Sequence, residues 1–134
     1  MRFGYTILYV PDVEEAIAFY ERAFGLRRRF VHESGDYGEL DTGSTTLSFA
    51  SEALVRSGGV DFRSGRVSEA SLPIEIAFVT DDVSAAFRKA LDAGAVQVLE
   101  PEQKPWGQTV SYVRDLNGFL VEMCTPVGTT PASS

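Results

Sequence analysis

The sequence predicts an α+β fold assembled from two tandem βαβββ modules, and three observations carry that prediction. Apolar residues switch from alternating to helical spacing and back, in the same order, twice along the chain. The apolar face of the first predicted helix reappears 70 residues later, with Val13, Ala16, Ile17 and Tyr20 returning as Val83, Ala86, Phe87 and Ala90. Each helix is opened by an aspartate, Asp12 or Asp82, and closed by a glycine, Gly25 or Gly94, the residue types that satisfy free amides at a helix start and adopt the left-handed turn at its end. Together these mark an internal duplication of about fifty residues.

The first module begins with Tyr5–Val10, YTILYV, whose aromatic and β-branched residues predict a strand. Pro11 and Asp12 end it, and Glu15 three residues after Asp12 completes a helix-start signal. Apolar residues at Val13, Ala16, Ile17, Tyr20, Ala23 and Phe24 share one helical face. Strands follow at Arg27–His32, Gly38–Leu40 and Thr45–Ala50, separated by turns at Ser34-Gly35-Asp36 and Asp41–Ser44. Ser51–Ser71 is rich in glycine, serine and arginine and predicts a linker or flap, with one helical turn near Glu52–Arg56. The second module repeats the order as a strand at Ile74–Val79, a helix from Asp82 to Gly94, and strands at Val96–Leu99, Thr109–Arg114 and Phe119–Cys124. Near the end the offset becomes 74, which places Ser48 on Glu122. The resulting division is 1–51, first module; 52–71, linker; 72–126, second module; and 127–134, a frayed tail without apolar period.

At 134 residues the chain suits one domain with a core of its own. It has no apolar run approaching the ~20 residues of a membrane span. Its opening, MRFGYTILYVPDVEEA, lacks the basic start, apolar centre and cleavage site of a signal peptide, so a cytoplasmic location is expected. The net charge of −7 argues against nucleic acid or an anionic membrane as partner. One cysteine and one histidine leave no internal disulfide, no thiolate cluster and no multi-histidine metal site within the chain.

Strand alternation puts Tyr5, Ile7 and Tyr9 on one face and Glu75, Ala77 and Val79 on another, while the helices cover the faces of Leu8 and Phe78. The repeat equates Tyr5 with Glu75 and Ser48 with Glu122, so these four positions should line the uncovered side. The stretch Lys104–Glu122, KPWGQTVSYVRDLNGFLVE, combines a tryptophan loop, a hairpin and a carboxylate, as the wall of a pocket would. His32 and the Arg27–Arg29 run read as structural, and Asp115–Gly118 as a hairpin turn. Cys124 shares the face of Glu122, where a neighbouring carboxylate makes its thiol a poor nucleophile.

The paired modules, the opening TILYVPDVEEAIAFYERAFGL and the closing PWGQ…VRDLNGFLVE resemble the vicinal oxygen chelate superfamily of glyoxalases, bleomycin-resistance proteins and dioxygenases. The resemblance spans Phe3–Pro126 and implies a curved, cup-shaped mixed sheet with the helices outside. It also implies a homodimer and four cavity positions that hold His or Glu ligands in the metalloenzymes. Here those positions are Tyr5, Ser48, Glu75 and Glu122. Only Glu75 and Glu122 suit a hard cation; a neutral serine is a poor ligand and a tyrosine ionises near ~10. No cofactor is therefore expected, with a divalent metal at Glu75 and Glu122 as the exception. The resemblance places an arginine and an asparagine for glutathione in glyoxalase I, where this chain has Tyr9 and Glu52. The leading expectation is metal-independent binding of a small aromatic, neutral or cationic molecule, with contacts from Tyr5, Ile7, Tyr9, Ser48, Glu75, Trp106, Ser111 and Glu122. The alternative is a glyoxalase-, epimerase- or dioxygenase-type enzyme in which Glu75 and Glu122 are catalytic, holding a metal or moving a proton.

Overall fold

Asp12 starts the first helix as its sequence position implies: its carboxylate accepts the Glu15 amide at 3.0 Å. Gly25 ends it at φ 67°, and Asp82 repeats the capping bond to Ala85 at 3.0 Å. In the computed structural model, which describes residues 1–128, the chain divides into two compact units between Gly65 and Arg66. The tail expected from 127 onward lies, beyond Gly128, outside the described residues.

The first unit contains β1 (Tyr5–Val10), α1 (Val13–Phe24), β2 (Arg27–Val31), β3 (Tyr37–Asp41), β4 (Thr46–Ser51) and α2 (Glu52–Ser57). Its strands form a four-stranded sheet in the order β1-β4-β3-β2. β1 and β4 run parallel with Tyr5 beside Thr46 and Ile7 beside Ser48, and the remaining neighbours are antiparallel. Leu8, Val10, Leu40, Leu47 and Phe49 are buried, as are Val13, Ile17 and Tyr20 of α1. The rings of Tyr20 and Phe49 lie 5.1 Å apart. A Cβ at Gly38 would stand 2.5 Å from Cδ1 of Ile17, so the helix seats on β3 where no side chain intervenes. Arg28 points to the same side and bridges Glu14 at 2.7 Å and Glu21 at 3.0 Å. Those partners, the Glu14 hydrogen bond foremost, hold its guanidinium above the usual range.

The second unit contains β5 (Glu75–Val79), α3 (Val83–Asp92), β6 (Val96–Gln103), β7 (Thr109–Arg114) and β8 (Leu120–Cys124). Its sheet has the equivalent order β5-β8-β7-β6. β5 and β8 are parallel, with Glu75 beside Leu120 and Ala77 beside Glu122. Val83, Phe87 and Ala90 of α3 are buried, as are Val113, Val121 and Met123. β6 runs four residues beyond the Leu99 end expected from sequence. An edge strand tolerates Pro101, and the two register shifts on either side of Leu99 absorb its geometry. Among the described residues no helix is long and apolar enough to cross a membrane.

The segment expected as a linker acquires more structure than its composition implies. Ser51 caps α2 by accepting the Leu54 amide at 3.1 Å and donates to Asp36 at 2.7 Å. After Arg66, the chain is held by Arg114, whose guanidinium donates to the Arg66 and Val67 carbonyls at 2.8 and 2.9 Å. Arg114 also donates to the Gly118 carbonyl at 3.1 Å. The β7–β8 turn closes around the buried Asp115, whose Oδ1 accepts the Asn117 and Phe119 amides, both at 2.9 Å. Gly118 alone takes the positive φ in this turn, at 85°.

A Cβ at Gly118 would meet the Arg66 carbonyl oxygen at 2.5 Å and the Arg114 guanidinium at 2.6 Å. Gly118→Ala should lower unfolding stability by ~2 kcal/mol through backbone strain and loss of the Arg66 contact. Gly35, at φ 76° with nothing within 4 Å, supplies the control. Gly35→Ala carries the φ cost alone and should lose less in the same denaturant titration.

Candidate functional site

On the second unit, α3 covers one face of the sheet and strand parity assigns side chains to the other. Glu75, Ala77 and Val79 of β5, Leu120, Glu122 and Cys124 of β8, and Val110, Tyr112 and Arg114 of β7 share the face away from the helix. Glu75 and Glu122 are diagonal neighbours on parallel strands, within reach for long side chains. Glu122 therefore stands close enough to disfavour the ionised form of Glu75. Partial burial and the adjoining Glu122 push Glu75 above the usual glutamate range. Tyr112 Oη donates to Glu122 Oε1 at 3.0 Å, and burial followed by the Glu122 contact raises this phenol to about 12. The Cys124 thiol is likewise raised to about 11, by burial first and by Glu122 second. It donates weakly to the Phe78 carbonyl at 3.7 Å and is a protonated, unreactive thiol near neutral pH.

Trp106 stands in the loop before β7 and is 60% exposed. Its indole N–H donates to Gln108 Oε1 at 2.9 Å, and Gln108 in turn donates to the Thr125 carbonyl at 2.9 Å. Gly107 takes φ 95°, letting the loop reverse directly after the ring. An indole anchored through its nitrogen while its faces meet solvent is a stacking surface.

Ser111 does not join this group. It pairs with Met123, donates to the Met123 carbonyl at 3.2 Å and is wholly buried. One residue of parity turns it to the helix side, away from Tyr112 and Glu122.

On the first unit, Tyr5 and Ile7 lie on the uncovered face, 56% and 43% exposed, and Tyr9 packs on Phe62 with ring centroids 5.0 Å apart. Ser48 belongs to the same face by register but is 0% exposed and donates to the Thr6 carbonyl at 3.5 Å. The carboxylate of this face is Glu39, which pairs with Ser48 across the ladder. Tyr37 Oη donates to Glu39 at 2.8 Å, and partial burial is the largest cause of the rise in this phenol's pKa. Arg29 donates to Glu39 at 3.1 Å and to Thr46 at 3.2 Å, and reaches Asp41 at 3.5 Å. A register shift between Arg28 and Phe30 re-aims Arg29 onto this face.

The sequence reading missed Glu39, Tyr112 and Gln108. The alternation Tyr37-Gly38-Glu39-Leu40-Asp41 was the available signal for Glu39. For Tyr112, it was the alternation through Val110, Tyr112 and Arg114. Neither strand can be placed opposite Ser48 or Glu122 until the intervening turn length is known.

The four positions that hold metal in the metalloenzymes bring two carboxylates, a phenol and a serine bound to a backbone carbonyl. Within each unit, neither the phenol with the bonded serine nor the two carboxylates form the nitrogen-containing donor set of transition-metal sites. Among the described residues no group of three or more His, Cys, Asp and Glu side chains is placed to hold a metal ion.

The chain matches the Glyoxalase/Bleomycin resistance protein/Dioxygenase superfamily over residues 2–123. Among solved structures, a glyoxalase-related enzyme from Fulvimarina pelagi superposes with TM-score 0.79 at 18% identity, covering 94% of this chain and 88% of its own. TioX from Micromonospora sp. ML1 matches at 25% identity and TM-score 0.70, covering 93% and 98%. A protein of unknown function from Agrobacterium tumefaciens str. C58 matches at 22% identity and TM-score 0.76, covering 94% of each chain. No curated protein matches the chain. The likenesses below 25% identity speak to the fold alone.

The carboxyl pair makes stability depend on pH in a defined direction. An unfolded glutamate titrates near ~4.3, and Glu75 in the folded chain titrates higher. The folded state therefore prefers the protonated form. That contribution is complete below the unfolded pKa and lost as pH rises through the folded one. Glu75→Gln fixes the neutral form, so its melting temperature should exceed the wild type's at neutral pH. The difference should vanish below pH ~4, as a series of melts in buffers of matched ionic strength will show.

Proposed function

Because the chain belongs to the Glyoxalase/Bleomycin resistance protein/Dioxygenase superfamily, we propose that it binds a small aromatic molecule, neutral or cationic, without a metal. Sequestration in the manner of the superfamily's bleomycin-resistance members, in the cytoplasm, is the specific form of this reading. One observation carries it: Glu75 and Glu122 are neighbours on the uncovered face, and among the described residues no ion pair joins either to a Lys or Arg. Negative charge held on a partly desolvated surface favours a cation or a hydrogen-bond donor. Trp106 supplies the aromatic component. Tyr5, Ile7 and Tyr9 supply a second aromatic and apolar face on the first unit. Ser48 offers a ligand nothing while its hydroxyl is buried, and Ser111 is withdrawn from the proposed contact set.

We also propose that the chain works as a homodimer. Phe3 on the first unit and Ile74 on the second, 71% and 55% exposed, each leave apolar surface that a second copy would cover.

A second reading, supported by the same pair of neighbouring carboxyls, is an enzyme of the glyoxalase, epimerase or dioxygenase type. A protonated and an ionised carboxyl side by side form a general acid and a general base. In this reading Glu75 gives up a proton and Glu122, held by Tyr112, accepts one.

Calorimetric titration in metal-free buffer separates the readings. An arylalkylamine without an indole, such as phenethylamine, should bind and alter Trp106 fluorescence, whereas the matching aryl carboxylate should not. Glu122→Gln should weaken the amine at least tenfold, about 1.4 kcal/mol, with an unchanged fold by circular dichroism. No heat from any arylamine, together with a stoichiometric divalent ion bound by the wild type and lost in Glu122→Gln, would replace the binding reading with the enzymatic one.

A further inference from the structure

The glycine- and serine-rich segment after α2 is bonded back to the helix at its start, where the Gly59 and Val60 amides donate to the Arg56 and Val55 carbonyls at 3.0 and 3.3 Å, and beyond Val60 it meets one aromatic ring and one arginine. Phe62 rests with its ring 5.0 Å from Tyr9, and the Arg56 guanidinium stands 4.0 Å over the centroid of the Phe62 ring. The same guanidinium donates to the Phe62 carbonyl at 3.4 Å and to Ser64 Oγ at 3.0 Å. Phe62 is thus held between a phenol on the uncovered sheet face and a cation on α2. Gly58 and Gly59, the latter at φ 96°, lie on one side of this anchor, and Gly65 on the other. The anchor itself meets solvent: Phe62 is half-buried, the Arg56 side chain is 45% exposed, and Val60 is 51% exposed. Residues 58–65 form neither helix nor strand. A loop that takes no part in the sheet's ladders and presents its anchoring side chains to solvent can open locally without the sheet unfolding.

We propose that residues 58–64 form a hinged lid on the first unit. Phe62 is its resident plug, filling the ring-sized space between Tyr9 and Arg56 and yielding it to a ligand's aromatic ring when the lid lifts. The ligand half of this inference rests on the aromatic-binding reading above; the lid's opening does not. A phenol edge and a guanidinium face are suited to any flat ring, and Phe62 shows that a six-membered ring fits. The plug would keep Tyr9 covered in the free protein and set a threshold that only a planar ligand overcomes.

Limited trypsinolysis of the whole protein, with mass spectrometry of the cut after the exposed Arg63, tests the opening without any ligand. Wild-type cleavage there should proceed well below the melting temperature. Arg56→Gln should accelerate it at least tenfold at temperatures where circular dichroism shows the fold intact, although the variant also removes the ion pair to buried Glu52 at 3.8 Å. Arg56→Lys, which keeps a cation over the ring, should give a smaller rise. Phe62→Ala removes the plug by a second route and should match Arg56→Gln, so a folding defect in one variant leaves the other decisive. Indole then probes the space itself, and Phe62→Ala should bind it at least tenfold more tightly than wild type. Cleavage that follows only global unfolding, or variants cut no faster than wild type, would overturn the lid. Equal indole affinity with and without Phe62 would overturn the plug. If trypsin reports opening but no arylamine binds the wild type, the lid stands and the functional reading above falls.

Discussion

The parallel pairing of the first and last strands of each unit governs everything built on it. β1 can lie parallel to β4, and β5 to β8, only because the chain between them returns by way of a helix and two further strands. That route deposits α1 or α3 on a single face. Every strand residue is then committed to the helix side or to the uncovered side, and a shift of one position exchanges the two. Gly38 beneath Ile17, Arg28 bridging to Glu14 and Glu21, and the buried Val113, Val121 and Met123 are the helix side of this partition. Glu75, Glu122, Tyr112 and Tyr5 are its remainder. Chemistry gathers there because no helix excludes it.

The duplicated sheets place a tyrosine-bonded carboxylate on each uncovered face but give the two different electrical surroundings. Glu39 receives Tyr37 at 2.8 Å and is also met by Arg29 at 3.1 Å. Its charge is matched inside the fold. Glu122 receives Tyr112 at 3.0 Å, and its other close neighbour is another acid, Glu75. At an effective dielectric of ~20, two like charges ~4 Å apart repel by about 4 kcal/mol. Retaining a proton relieves this, and so does an external cation. The first face therefore carries its counter-ion in the sequence, and the second leaves that role open.

How much of this was legible beforehand depends on whether local pattern or turn geometry decides the point. The helices, their aspartate caps and the offset of 70 are local, and Tyr5 beside Thr46 with Glu75 beside Leu120 confirms the equivalence of the two units. The offset of 74 placing Ser48 on Glu122 also holds, since Ile7 and Ala77 are their respective partners. What escaped was register between antiparallel neighbours. Ser111 lies one residue from Tyr112, and only the length of the Asp115–Phe119 turn decides which of them faces Glu122. Glu39 escaped because a neighbouring strand, rather than the repeat, supplies the carboxylate that Ser48 lacks. The bulge that delivers Arg29 beside it leaves no trace in alternation at all.

The segment expected as a linker shows a third kind of illegibility, in which composition says nothing about anchors. Arg114 fastens Arg66 and Val67 within the second unit through two carbonyl bonds and holds its own turn through a third, to Gly118. Arg56 fastens Phe62 and Ser64 within the first through a ring face, a carbonyl and a hydroxyl. These two clamps are not of equal strength. A cation over a ring at an exposed site contributes ~0.5–1 kcal/mol, and a solvent-reachable hydrogen bond adds about 1 kcal/mol. Fixing a backbone residue costs ~1–2 kcal/mol, and the glycines at 58, 59 and 65 lose the most freedom when ordered. The Arg56 clamp, reached by solvent on every side chain it uses, is the weaker of the two. Arg114 instead organises a turn whose buried Asp115 and sterically confined Gly118 belong to the core of its unit. Motion at low cost is accordingly concentrated in the stretch that covers Tyr9.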